Sequence, residues 1–145
     1  MMMNNKGSSA SKYSEASGSE AHFATPHRLV RMLMEGVLDK IAVAKGAIER
    51  HDVELRQRNI TWAVSIIDAL RSSLDFEKGG EIAANLESLY SYSNHRLMEA
   101  NISDDVTKLD EVTDLIRELK RGWDTIPDEI KQASSIEEAV TSSPK

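Results

Sequence analysis

Cysteine is absent from this 145-residue chain, which by chemistry alone excludes disulfides, thiol catalysis, zinc–thiolate sites and iron–sulfur clusters. Long apolar runs are missing too: no stretch approaches the roughly 20 apolar residues that span a bilayer. The opening Met-Met-Met-Asn-Asn-Lys-Gly-Ser-Ser lacks the apolar core of a signal peptide, so the expected location is the cytosol, with no direct membrane insertion. An excess of positive charge is lacking as well. The formal net charge is −6, which opposes the phosphate contacts that give nucleic-acid binding its affinity, and nucleic acid is not an expected partner.

Catalytic spacings are equally scarce. There is no Glu-x-x-His or His-Glu-x-x-His for metals, no Gly-x-Ser-x-Gly elbow, no phosphate-cradling glycine loop followed by lysine and no dinucleotide fingerprint. His22, His27, His51 and His95 stand apart from one another, at helix edges or in the N-terminal segment. The stretch from Asp75 has the look of a calcium loop, with Asp75, Glu77, Gly80 and Ile82 at fitting offsets. Its twelfth position is Leu86, where a bidentate Glu is required, and Gly79 stands in place of a side-chain oxygen. Asn59-Ile-Thr61 and Asn101-Ile-Ser103 match the glycosylation pattern, which has no physical meaning without secretion. The expectation is a binding protein, not an enzyme, with no cofactor and no metal.

What the chain does contain is helical periodicity. Residues 1–24, rich in Ser, Ala, Asn and Gly, cannot repay their own ordering entropy and read as a mobile arm. Thr25-Pro26 starts a first helix running to about Arg50, with Leu29, Met32, Leu33, Gly36, Val37, Ile41, Ala44 and Ile48 on one face and Met34, Leu38 and Val43 widening it. A second helix from about Val53 to Ser73 turns Ile60, Ala63, Ile66, Ile67 and Leu70 inward, with Trp62 at its flank. Leu74 to Gly80 is the clearest break, because paired glycines suit a turn. The third helix begins near Glu81 with Ile82, Leu86, Leu89, Ser93, Leu97 and Ala100 as its stripe. Ser103 or Asp104 is placed to cap a fourth, which carries Leu109, Val112, Ile116, Leu119 and Trp123 and ends at Pro127. Four amphipathic segments with short connections give an all-α, antiparallel up-down four-helix bundle over 25–126, followed by a largely disordered tail over 127–145.

The third helix has more polar and aromatic side chains than a core-facing helix needs. At 100° per residue, Asn85, Tyr92 and Arg96 gather on one flank of its apolar stripe, and Tyr90 and Asn101 on the other. Asn matches a backbone C=O and N–H together, Tyr offers apolar area with a polar tip, and Arg pairs with carboxylates bidentately. The strip therefore suits an incoming peptide. A plainer alternative stays open: Arg96 bonding Asp75 or Glu99, Tyr92 packing over a helix crossing and Asn85 capping a loop.

Several stretches in order resemble the FliS-type flagellar export chaperones. They are Ala-Thr-Pro-His-Arg-Leu-Val-Arg-Met-Leu-Met-Glu-Gly from Ala24, Ser-Leu-Asp-Phe-Glu-Lys-Gly-Gly-Glu-Ile-Ala-Ala-Asn-Leu from Ser73, Leu-Tyr-Ser-Tyr from Leu89 and Arg-Leu-Met-Glu-Ala-Asn from Arg96. Leu-Asp-Glu-Val from Leu109 and Trp123 extend the likeness, which runs from about Tyr13 to Thr125. The resemblance implies a cytosolic bundle that binds the disordered C-terminal segment of flagellin, prevents premature polymerisation and delivers it to the membrane-embedded gate of the flagellar type III export system. It implies Leu74, Asp75, Asn85, Leu89, Tyr92, Arg96 and Asn101 as flagellin-binding positions and Tyr13 as an export-gate contact. His95 stands where the family more often has arginine, and Met34 where it has an aromatic. A homodimer through the wide face of the first helix is the competing expectation.

Overall fold

The computed structural model describes residues 25–123, which form four consecutive helices: α1 Pro26–Glu49, α2 Val53–Ser72, α3 Phe76–Ser103 and α4 Val106–Trp123. Their starts follow from capping chemistry. Thr25 Oγ1 accepts from the Arg28 N–H at 3.1 Å, with Pro26 in the first turn. Asp52 accepts from the Leu55 N–H at 3.1 Å ahead of α2, and Asp75 from the Lys78 N–H at 3.0 Å ahead of α3. The expected arm and tail lie outside the described residues, as does Tyr13.

Two boundaries differ from the sequence expectation. The segment Leu74 to Gly80 is not wholly a turn: residues 73–75 join α2 to α3, Asp75 caps a helical turn from Phe76, and within α3 the break is confined to Gly80, at φ 51 and ψ −124. A Cβ there would meet nothing within 4 Å, so the positive φ, not crowding, requires glycine. At the other end of α3, Ser103 Oγ donates back to the Glu99 carbonyl at 2.8 Å, and Asp104 takes a left-handed conformation that closes the helix. Capping ahead of α4 therefore falls to Asp105, which accepts from the Thr107 N–H at 3.0 Å and from its hydroxyl at 2.5 Å.

Helix α1 packs on α2 and α4, and α3 packs on the same two, so the helices close into a ring. Side-chain ties fix the directions. Arg56 near the start of α2 meets Asp104 after the end of α3 at 2.6 Å, while Arg71 near the end of α2 meets Glu87 in the first half of α3 at 2.7 Å. Late in α1, Lys45 pairs with Asp110 early in α4 at 3.0 Å, and the Trp123 Nε1–H at the end of α4 donates to the His27 carbonyl at 2.8 Å. Neighbouring helices thus run antiparallel, giving the expected up-down four-helix bundle.

The five inward positions expected of α2 are all buried, as are Leu109, Val112, Ile116 and Trp123 of α4. In α1 the expected Gly36, Val37, Ile41 and Ala44 are buried, but the first half of the buried row runs through Val30 and Met34 and not through the expected Leu29, Met32 and Leu33. Periodicity cannot choose between adjacent rows; wedging between α2 and α4 does, and it leaves Val43 outward at 41% exposure. In α3, Tyr90 is only 2% exposed and belongs to the core, not to an open flank. Burial pushes its phenol well above the ordinary tyrosine value. No helix among the described residues is long and apolar enough to cross a membrane.

Candidate functional site

Gly80 releases the main body of α3 from its capped first turn, and the helix then presents two polar edges, one toward each neighbour. Toward α4, Tyr92 and Arg96 lie one turn apart and share Glu111. The Tyr92 hydroxyl donates to Glu111 Oε2 at 2.5 Å, and Arg96 Nε donates to Glu111 Oε1 at 2.7 Å. Arg96 Nη1 also donates to Glu99 at 2.9 Å, and its guanidinium carbon lies 5.8 Å from the centroid of the Tyr92 ring. The Tyr92 hydroxyl, then the Arg96 guanidinium, hold the Glu111 carboxyl below the usual carboxylate range. The same hydrogen bond pushes the Tyr92 phenol up.

Asn85, two turns before Tyr92, is exposed and holds no hydrogen bond among the described residues, so both ends of its amide stay available. Beside this edge lies a shallow depression of about 440 Å³ lined by Glu87, Ser88, Ser91, Tyr92 and His95. The edge therefore offers an exposed aromatic whose hydroxyl is fixed, a guanidinium fixed by two carboxylates and an open amide. Such a strip is set before a ligand arrives, which lowers the ordering cost of binding.

The edge toward α2 is tied more closely. Arg71 grips Glu87 with two hydrogen bonds of 3.2 and 2.7 Å, Asn94 Nδ2 donates to Asp68 at 2.9 Å, and Arg56 Nε donates to Asn101 Oδ1 at 3.0 Å. Of the candidate positions, the structure gathers Asn85, Tyr92 and Arg96 on the α4 edge and places Asn101 on the α2 edge. Leu74 and Leu89 are half-buried against the core, and Asp75 is the α3 cap. The plainer alternative holds in part, since Arg96 does bond Glu99, but Asp75 is not its partner and Asn85 caps nothing. Sequence reasoning missed Glu111. The only signal for it was a need: a tyrosine and an arginine on one flank call for an acceptor on the next helix, and Leu109-Asp-Glu-Val112 supplies one.

Among the described residues no group of three or more His, Asp or Glu side chains gathers as a metal site would. A model of the family described as "Flagellar protein FliS" matches residues 9–130, which take in all four helices and both edges of α3. The chain belongs to the FliS family. Relatives include the flagellar secretion chaperone FliSB of Pseudomonas aeruginosa, 50% identical over 103 residues that cover 71% of this chain and 82% of that protein. The flagellar secretion chaperone FliS of Vibrio cholerae is 35% identical over 122 residues, covering 84% and 90%. That of Salmonella typhimurium is 38% identical over 104 residues, covering 71% and 77%. Family membership and the four-helix ring agree with what the motifs from Ala24, Ser73, Leu89 and Arg96 implied.

Proposed function

We propose that this chain is a cytosolic flagellar secretion chaperone that binds the disordered C-terminal segment of flagellin, keeps it from polymerising early and passes it to the flagellar type III export gate. It acts by binding and not by catalysis. The names of its relatives support the flagellar role, and the observation that carries the binding reading is the strip of Asn85, Tyr92 and Arg96 held ready by Glu111. A disordered client loses entropy on ordering, so a chaperone gains most from a surface that is already set. Leu74 and Asp75 at the head of α3, Leu89 beneath the strip and Asn101 on the far edge complete the proposed seat. Tyr13 is the proposed gate contact.

Isothermal titration of the full chain with a flagellin tail peptide tests the client. The expected result is one-to-one binding with a negative heat-capacity change, weakened about tenfold by Tyr92→Ala, a loss of roughly 1.4 kcal/mol. Absence of binding at micromolar concentration by folded protein would sink the assignment. For the gate, Tyr13→Ala should leave peptide binding intact and lower filament output in cells; equal loss of both would move Tyr13 into the client seat.

A further inference from the structure

The end of the bundle where α1 begins and α4 stops carries more positive charge than the helix dipoles call for. Lys120 and Arg121 in the last turn of α4 suit the negative end of that helix. Arg28 and Arg31 stand in the first two turns of α1, at the positive end of its dipole, and no acidic residue occupies that first turn. The two sets meet, because Trp123 stacks on His27 with ring centroids 5.1 Å apart. Arg31 Nε and Lys120 Nζ share one carboxylate, Glu35, at 3.8 and 3.6 Å, and Arg121 reaches Glu118 at 3.7 Å. These contacts exceed hydrogen-bond length, unlike Lys45–Asp110 at 3.0 Å at the other end of the same face. Arg117, one turn before Arg121, is exposed and makes no ion pair among the described residues. Over residues 25–35 and 117–123, five Lys and Arg side chains thus stand against two carboxylates, in a chain whose net charge is −6.

Residues 124–145 follow directly on Trp123 and lie outside the described residues. They carry Asp124, Asp128, Glu129, Glu137 and Glu138 against Lys131 and Lys145, the opposite balance to the surface they start from. We infer that this acidic segment folds back onto the basic end of the α1–α4 face, with Asp128-Glu129 and Glu137-Glu138 set against Arg28, Arg117 and Arg121. Reach is no obstacle: Glu138 can lie up to roughly 50 Å from Trp123, whereas Arg117 and Arg121 are separated by about one turn of 5.4 Å. Exposed ion pairs are individually weak, but attachment through Trp123 holds the carboxylates at an effective concentration in the millimolar range. The segment also brings the negative charge that the start of α1 lacks, and it competes there with any other anion. Lys120 faces α1 through Glu35, while Glu111 with Tyr92 and Arg96 lies on the α3 side of α4, so the docked segment leaves the proposed client strip uncovered. The family match stops at residue 130, so Glu137-Glu138 are features of this chain beyond it.

Because the chain has no cysteine, Ser135→Cys gives one site for a nitroxide spin label in the full chain. At about 20 mM salt the amide NMR signals of Arg28, Arg117 and Arg121 should broaden relative to the reduced label, and those of Arg56 and Ile102 at the far end should not. Raising the salt to about 500 mM, where the Debye length is roughly 4 Å, should cut the broadening at least threefold. Glu137→Lys with Glu138→Lys should do the same at low salt, and adding Arg117→Glu with Arg121→Glu should restore at least about half of it at residues 117 and 121, since the exchange keeps opposite charges facing. Absence of broadening at low salt overturns the inference. So does broadening that ignores salt or the lysine pair, or an exchange variant that fails to recover. Equal broadening of isotope-labelled chains mixed with spin-labelled ones also overturns it, by showing that the segment comes from another molecule.

Discussion

Helix α1 and helix α3 occupy equivalent places in the ring, each between α2 and α4, yet they are held in different ways. On α1 the buried row is Val30, Met34, Val37, Ile41 and Ala44, with no side-chain polar group to satisfy. Its border with α2 closes with the Lys40 ammonium 3.5 Å from the centroid of the Trp62 ring, where burial lowers the lysine's pKa. On α3 the buried residues include Ser93 and Asn94 beside the apolar Ala83, Tyr90, Leu97 and Ala100, and its borders carry Arg71–Glu87, Asn94–Asp68, Arg56–Asn101 and the Glu111 pair. Apolar burial is strong and non-directional, whereas exposed ion pairs add little stability but fix orientation. All four helices thus feed the core, α3 through Tyr90, Leu97 and Ala100, while α3 alone also uses its borders to hold polar side chains in set positions at the surface.

Truncating the apolar part should cost most. Ile67→Ala, at a fully buried position on α2, should lose about 2–5 kcal/mol by urea unfolding, and a loss under about 1 kcal/mol would remove the distinction between the two regions. Next comes Gly80→Ala, which forces a side chain into a positive φ and should cost about 1–2 kcal/mol by thermal unfolding. An unchanged midpoint would mean that the α3 break tolerates more than glycine.

The polar edges should show themselves through pH. Glu87, Asp105 and Glu111 are each held below their ordinary value, by hydrogen bonds from Arg71, from Thr107 and from Tyr92 with Arg96 respectively. A carboxylate whose folded pKa is depressed contributes fully above its unfolded value, about 4 to 4.5, and loses that contribution as pH falls through the folded value. The urea midpoint should therefore drop as pH falls below about 4.5, and Glu111→Gln should make the drop shallower. An unchanged slope would take Glu111 out of the account. The smallest effect belongs to Ser93→Ala. Its buried hydroxyl has no hydrogen-bond partner among the described residues, so removal should be neutral or stabilising by up to about 1 kcal/mol; a clear loss would show that α3 depends on that hydroxyl.

The fold was legible because capping and periodicity are local properties. Thr25-Pro26 starts α1, Ile60, Ala63, Ile66, Ile67 and Leu70 face the core, and Trp123 ends the buried row of α4, all as the pattern implies. Where the sequence reading failed, the deciding interaction lay between helices. Met34, not Leu33, sits at the centre of α1 because α1 is wedged between two neighbours, and Tyr90 is buried because the core accepts its ring. Asn94 goes inside because Asp68 on α2 meets its amide. The candidate strip was half visible for the same reason: the spacing of Asn85, Tyr92 and Arg96 is a property of one helix, whereas Glu111 reaches it only once α4 is in place. Asp75 followed a different rule, since one residue can look like a calcium ligand in the sequence and act as a helix cap in three dimensions.

Trp123 stacks on His27 with ring centroids 5.1 Å apart and planes at 9°, and its indole N–H closes on the His27 carbonyl. The first and last turns of the described bundle are thereby clasped together at one pole, while the α1–α2 and α3–α4 turns lie at the other. A short linker could join residues 123 and 25, and the chain could be reopened at the α1–α2 turn without unthreading the ring. For anyone attaching the protein to a surface or a dye, that second pole is the handle that leaves the clasp and the head of α3 unobstructed.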